Sequence, residues 1–307
     1  MTAATPRTVE EYLDLLRAEL QGADRALVQD ALYDAEEHLR AELAQHPEQT
    51  EETMLGQIVA SYGAPGEVAD AYRSNESRVQ AALRTPRPQP KHTAIGRFFA
   101  VYSDPRAYLS MAYMLLALAT GIFYFTFAVT GLSLSAGFAI LIIGIPFFLL
   151  FIGTTRVLAL AEGRIVETLL GTRMPRRPVH PGPQVGWKER ILDMLKDPRT
   201  WGTLLYLLLM LPLGVFYFTF VLVGIACSLA LTLAPIFLLL YHAGFIAIDD
   251  AVVNSPHPAL LPLISILGIV LLTVTLHLSR GIGYLHGQLA KSLLVRAPRT
   301  ADEPAVA

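Results

Sequence analysis

Gly121-Ile122-Phe123-Tyr124-Phe125-Thr126-Phe127 returns, 93 positions on, as Gly214-Val215-Phe216-Tyr217-Phe218-Thr219-Phe220. The same offset carries Asp104-Pro105-Arg106 onto Asp197-Pro198-Arg199, and Gly131 onto Gly224. A second register, of 124, relates Ile142-Ile143-Gly144-Ile145 to Ile266-Leu267-Gly268-Ile269, Arg156 to Arg280, Gly163 to Gly287 and Leu169-Leu170 to Leu293-Leu294. The change of offset puts 31 extra residues in the later copy. The pattern predicts a duplicated unit with one insertion. The fold class expected is all-α: a small helical cytoplasmic domain, then a multi-pass α-helical membrane domain built from two repeats.

Composition agrees with a membrane body. Hydrophobic residues make up 53% and charged residues 16% of the 307, and the mean hydropathy is +0.45, above that of ordinary soluble proteins. The charge is divided unevenly. Residues 1–75 hold 15 of the 26 acidic residues and 5 of the 24 basic ones. Cys227 is the only cysteine and sits in an apolar run, which excludes a disulfide framework and a cysteine metal cluster. The acidic, helix-patterned start does not read as a cleavable signal peptide, so the head is expected in the cytoplasm.

The membrane body divides into repeat 1 (101–178) and repeat 2 (179–296, with the insertion at 225–255), followed by a disordered tail (297–307). No charged residue interrupts Ala107–Thr155, which is long enough for two spans. The basic stretch from Arg156 to Arg199 then places the following loop in the cytoplasm. On this reading the first repeat is a hairpin that enters and leaves on one side. In the second, Arg280, Lys291, Arg296 and Arg299 also favour the cytoplasm, so four full spans are expected, with 225–255 as a re-entrant or interfacial helix broken near Pro235, or as an extension of the third span. Five spans are the alternative. Residues 156–170 and 280–294 read as amphipathic interfacial helices, either couplers or plain anchors. The protein is expected in the bacterial inner membrane, with both termini cytoplasmic.

In the head (1–75), Thr8 reads as an N-cap, Gly22 and Pro47 as stops, and Thr50 with Thr53 as a variant capping box. A last short helix is expected through Val68, Ala69 and Tyr72. Residues 76–100 read as a basic, proline-rich linker. Glu36 and Glu37, with Tyr62 and Tyr72, are candidate partner contacts. The acidic face argues against direct nucleic-acid binding, which needs Lys and Arg clusters. Glu36, Glu37, His38 and Glu42 can also be weighed as a divalent-metal site, but no second His stands at a matching spacing, and a solvated face is the simpler account.

No phosphate loop, zinc motif or nucleophile elbow is legible, and no cofactor is expected. The spans as delimited above contain no Asp, Glu, Lys or Arg, which weakens a transporter reading. A lipid-soluble ligand could stack on Tyr124 and Tyr217 and bond Thr126 and Thr219; packing between helices is the competing account. Asp249 and Asp250, with His257, are candidates for capturing a cation in the loop between the last two spans.

The head resembles the HAAS-type helical signalling domain found beside PadR-type transcription regulators. The resemblance rests on Glu11-Tyr12-Leu13 with Leu16 and Leu20, on Tyr33 through His38, and on Leu55 through Tyr72. It implies protein interaction without catalysis. The body, residues 101–296, resembles the sensor domain that precedes the kinase core in many bacterial histidine kinases. That likeness is carried by Pro212-Leu213-Gly214, the two Phe-Tyr-Phe-Thr-Phe runs, Gly144-Ile145-Pro146, Arg280-Gly281, Leu285-His286-Gly287 and Leu293-Leu294. No phosphoacceptor region or ATP-binding motif accompanies it, so kinase activity is not implied. The expected function is therefore non-enzymatic signalling: the body senses an envelope or lipid-soluble signal and the head binds a cytoplasmic, PadR-like regulator, with lipids and further copies of the chain as other partners. A transporter, or an assembly or scaffold protein with a regulatory head, is the alternative.

Overall fold

The computed structural model describes residues 6–46, 48, 50–83, 93–141, 143–177, 195–245 and 260–295. Every regular element among them is a helix, with no strand. The head comprises α1 (Val9–Glu19), α2 (Arg25–Gln45), α3 (Glu51–Tyr62) and α4 (Pro65–Leu83). Thr8 caps α1 by accepting from the Glu11 amide at 3.2 Å, which satisfies one of the free amides of the first turn. Thr50 does not cap the backbone; its hydroxyl pairs with that of Thr53 at 2.8 Å. Tyr12, Leu16, Leu20, Ala31, Leu39 and Leu55 form the head's buried core. Gly63, at φ 112, makes the turn between α3 and α4 that a side chain would resist. The last helix of the head was expected to be short, yet α4 runs on through Leu83, so the first part of the expected linker is helix. Pro65 fixes the start of α4, and no proline follows until Pro86.

After α5 (Ala94–Phe99) and a single 3-10 turn come four helices long and apolar enough to cross a membrane: α6 (Pro105–Phe138), α7 (Gly144–Leu170), α8 (Pro198–His242) and α9 (Leu261–Leu294). Asp104 and Asp197 cap α6 and α8, each accepting from the amide two residues on, at 3.0 and 3.1 Å. Pro105 and Pro198 occupy first-turn positions, where a missing N–H costs nothing. Much of the insertion, through His242, continues α8 beyond Pro235, so it extends the third span rather than forming a re-entrant element. Four candidate spans, not five, lie among the described residues. Asp249, Asp250 and His257 lie outside them.

Small residues set the central seam. On α6 the buried positions Ala107, Ser110, Met114, Ala117, Gly121 and Tyr124 alternate by three and four residues, a coiled-coil spacing. A Cβ at Gly121 would overlap the Met210 carbonyl, and one at Gly214 the Ala117 carbonyl. The backbones of α6 and α8 therefore meet directly, as small residues allow where lipid provides no hydrophobic drive between helices.

The order of contacts gives the directions. Tyr102 meets Thr273, Asp104 meets Arg280 and Tyr113 meets His286, so α6 and α9 advance together. Arg156 meets Asp197 and Glu162 meets Tyr206, so α7 and α8 do likewise. Within each hairpin the helices oppose: Gly131 packs on Phe151, and Gly224 on Thr275. The two hairpins are thus antiparallel, with the α6–α7 turn and the C-terminal end of α8 at opposite ends. This differs from the expectation that both enter and leave on one face. The physical reason is the seam: in the antiparallel pairing Gly121 and Gly214 face the opposite backbone together, and each capping aspartate also comes to lie by an arginine of the other hairpin, Asp104 with Arg280 at 2.8 Å and Asp197 with Arg156 at 3.7 Å.

Candidate functional site

Six polar side chains meet where the four long helices pack. Glu162 of α7 is fully buried, and His286 of α9 is almost so. Tyr113 and Tyr206 donate to Glu162 Oε1 at 2.7 and 2.9 Å, and Tyr124 donates to Oε2 at 3.0 Å. The Tyr113 and Tyr206 oxygens also lie 2.6 and 3.0 Å from His286 Nε2, while the Tyr217 hydroxyl lies 3.1 Å from Nδ1.

Counting protons assigns the network. A carboxylate only accepts, so three phenols spend their single protons on Glu162. Tyr113 and Tyr206 can then only accept from His286, which puts the imidazole proton on Nε2 and leaves Nδ1 to accept from Tyr217. Every proton is used once. In this arrangement the donors to the Glu162 carboxyl are three phenols rather than a basic side chain. Any change in which of these atoms donates would force at least one phenol to turn.

Positions related by the sequence offsets hold equivalent places here. Tyr113 and Tyr206 sit at the centre, Tyr124 and Tyr217 flank them, and Glu162 stands where the second half has His286. Of the residues singled out from sequence, Tyr124 and Tyr217 belong to the cluster. Thr126 and Thr219 do not: both are exposed, because two residues along a helix turn the side chain about 200° away. The expected stacking site between paired tyrosines and threonines is therefore not formed. Two further expectations are corrected. The segments 156–170 and 280–294 are not separate interfacial helices but the last turns of α7 and α9. The apolar helices are also not free of acidic groups, since Glu162 lies within α7. His277, on α9, sits 2.9 Å from the Phe98 carbonyl, away from the cluster.

A strap after α7 joins this cluster to the head. Met174 packs on Gly163, beside Glu162, and Thr172 packs on Gly287, beside His286. Between them, Arg173 points to the head and pairs with Asp30 at 3.0 Å and Glu76 at 3.2 Å, and with Glu167 of α7 at 3.2 Å. Asp30 Oδ1 accepts from the amides of Arg176 and Arg177 at 2.7 and 2.9 Å. Lys291, near the end of α9, pairs with Asp24. Burial raises the Asp30 carboxyl above the ordinary carboxylate range, and the amides of Arg177 and Arg176 with the Arg173 guanidinium offset part of that. Burial alone would lower Arg173, but Glu76, Asp30 and Glu167 outweigh it and raise the guanidinium.

The candidate partner residues of the head are spread over this arrangement. Tyr72 donates to Asp34 at 2.9 Å, next to the strap. Glu36 pairs with Arg40 at 3.0 Å, Tyr62 stacks on His38, and Glu37 is exposed. The signal that could have found the cluster was available in the repeat register: the same offset that aligns Gly163 with Gly287 aligns Glu162 with His286, a polar residue in both halves.

No curated protein and no solved structure matches the chain. The sequence model of the family described as "Putative sensor" matches residues 113–294, more than half of the chain, from the first tyrosine of the cluster to the end of α9, and the chain belongs to that family.

Proposed function

We propose that this chain is a non-enzymatic membrane signalling protein. The buried Glu162–His286 cluster responds to a condition of the bilayer or envelope, and the head, HAAS-like in sequence, engages a cytoplasmic regulator of the PadR type. The observation that carries the reading is the strap. A single run from Thr172 to Arg177 touches residues beside both ionisable members of the cluster and also holds the head. A turned phenol that displaces α7 or α9 is therefore felt at Asp30. The paired contacts fit a duplicated body, and the Lys291–Asp24 pair ties the head to the last turn of α9 as well as to the strap.

Affinity capture with the full-length protein from native membranes tests the reading. It requires recovery of a basic DNA-binding regulator that is lost at high salt. Recovery of membrane-complex subunits or further copies of the chain alone would turn the reading to assembly or scaffolding. The intramembrane Glu162 also favours a second reading, proton-coupled transport. Substrate flux in vesicles that survives removal of the head would establish that instead.

A further inference from the structure

The head holds the strap as a binding domain holds a peptide. Two amides of the strap donate to Asp30, and Gln29 Nε2 donates to the Arg177 carbonyl at 2.8 Å. These three bonds read main chain and no side chain. Two arginine sites flank them. One receives Arg173 through Asp30 and Glu76; in the other, Arg177 lies 2.9 Å from Asp34 and 5.8 Å over the Tyr33 ring. Gln29 Oε1 is buried without a hydrogen-bond partner, so the strap leaves one acceptor of this face unused.

We propose that this face of the head is a recognition site for a short arginine-bearing segment of another protein, and that the strap is its competitor in cis. The proposal rests on the reading that the head engages a cytoplasmic protein. The partner segment carries two arginines four residues apart, as Arg173 and Arg177 are, free main-chain amides for Asp30 and a further donor for Gln29 Oε1. A tethered competitor acts at an effective concentration on the order of millimolar. The partner therefore binds well only once the strap has left, which couples its capture to a movement of α7.

The test uses the full chain in nanodiscs and a fluorescein-labelled peptide of the sequence Thr172–Arg177. The Arg173→Ser, Arg177→Ser variant, whose strap keeps only its main-chain bonds and so competes weakly, is expected to bind the peptide at least tenfold more tightly than the unaltered chain. Adding Asp30→Asn is expected to remove that binding, and so is replacing the peptide arginines that correspond to Arg173 and Arg177 with glutamine, the one that corresponds to Arg176 being kept. Equal binding to both chains, or binding indifferent to Asp30→Asn, overturns the proposal. Should the double variant fail to fold, hydrogen exchange on the unaltered chain decides: saturating peptide must speed exchange at the Arg176 and Arg177 amides, and unchanged rates overturn the proposal. Peptide binding by a variant that captures no cytoplasmic protein would refute the partner reading and leave the recognition site standing.

Discussion

Arg173→Met is the most informative single change. The side chain is 14% exposed and sits among three carboxylates, Asp30, Glu76 and Glu167, themselves 7 to 13% exposed. Methionine keeps most of the length and apolar stem but leaves those carboxylates without their common cation. Removing one partner of a buried pair costs about 3–5 kcal/mol. At about 1.4 kcal/mol per tenfold, that opens the head-to-strap contact roughly a hundredfold to several thousandfold more often. Hydrogen exchange resolves this at single amides, because Arg176 and Arg177 owe their protection to Asp30. Those two amides are expected to exchange faster by that factor, while amides in the core of α6 do not change. Arg173→Lys should fall between, since an ammonium cannot serve three carboxylates with the planar fork of a guanidinium. Unchanged protection in a folded Arg173→Met protein would refute the assignment of Arg173 as the main tie.

Further expectations concern the cluster and the seam. Tyr124→Phe removes a bond to a charged acceptor and should cost about 1.5–3 kcal/mol, whereas Tyr217→Phe removes a neutral bond and should cost about 0.5–1.5 kcal/mol. Equilibrium unfolding in detergent that reverses this order would contradict the proton assignment. Gly121→Val puts a methyl group into the Met210 carbonyl and should cost about 3 kcal/mol or more. Gly281→Ala meets nothing and should be neutral or stabilising by up to about 1 kcal/mol, measured the same way. Thr126→Ala and Thr219→Ala, at outward positions, should stay within about 0.5 kcal/mol and leave head docking unaltered; a clear effect on docking would restore them to the site.

Sequence made the membrane body legible because its signals are local. Charge-free runs, capping aspartates followed by proline, and a repeated motif each act within a few residues, and α6, α7 and α9 follow from them. Pro235 was weighed as a break and instead lies within α8, since a long apolar helix packed on a neighbour can accommodate the missing N–H. The cluster was only half legible. Tyr124 and Tyr217 stood out by repetition, but Glu162 was hidden by its surroundings: Arg156, Arg164 and Glu167 make that stretch read as a surface, and only tertiary packing shows one carboxylate turned inward among phenols. The relative direction of the hairpins depends on how the α6 and α8 glycines meet across the seam, a long-range choice that no local pattern encodes. The strap was invisible for the same reason, because a basic run after a span reads as a loop until Asp30 is brought to it.

The central claim is that the buried cluster and the head are coupled through the strap. Spin labels at the exposed positions Glu37 of the head and Tyr284 of α9, with Cys227 replaced by serine, would report the head-to-body distance in nanodiscs. Glu162→Gln touches no residue of the head, yet it replaces an acceptor-only carboxylate with an amide that donates, so at least one phenol must turn. The account predicts a broadened distance distribution with a longer-distance population that the unaltered chain lacks. A distribution identical to that of the unaltered chain, in a protein shown to be folded, would contradict the coupling.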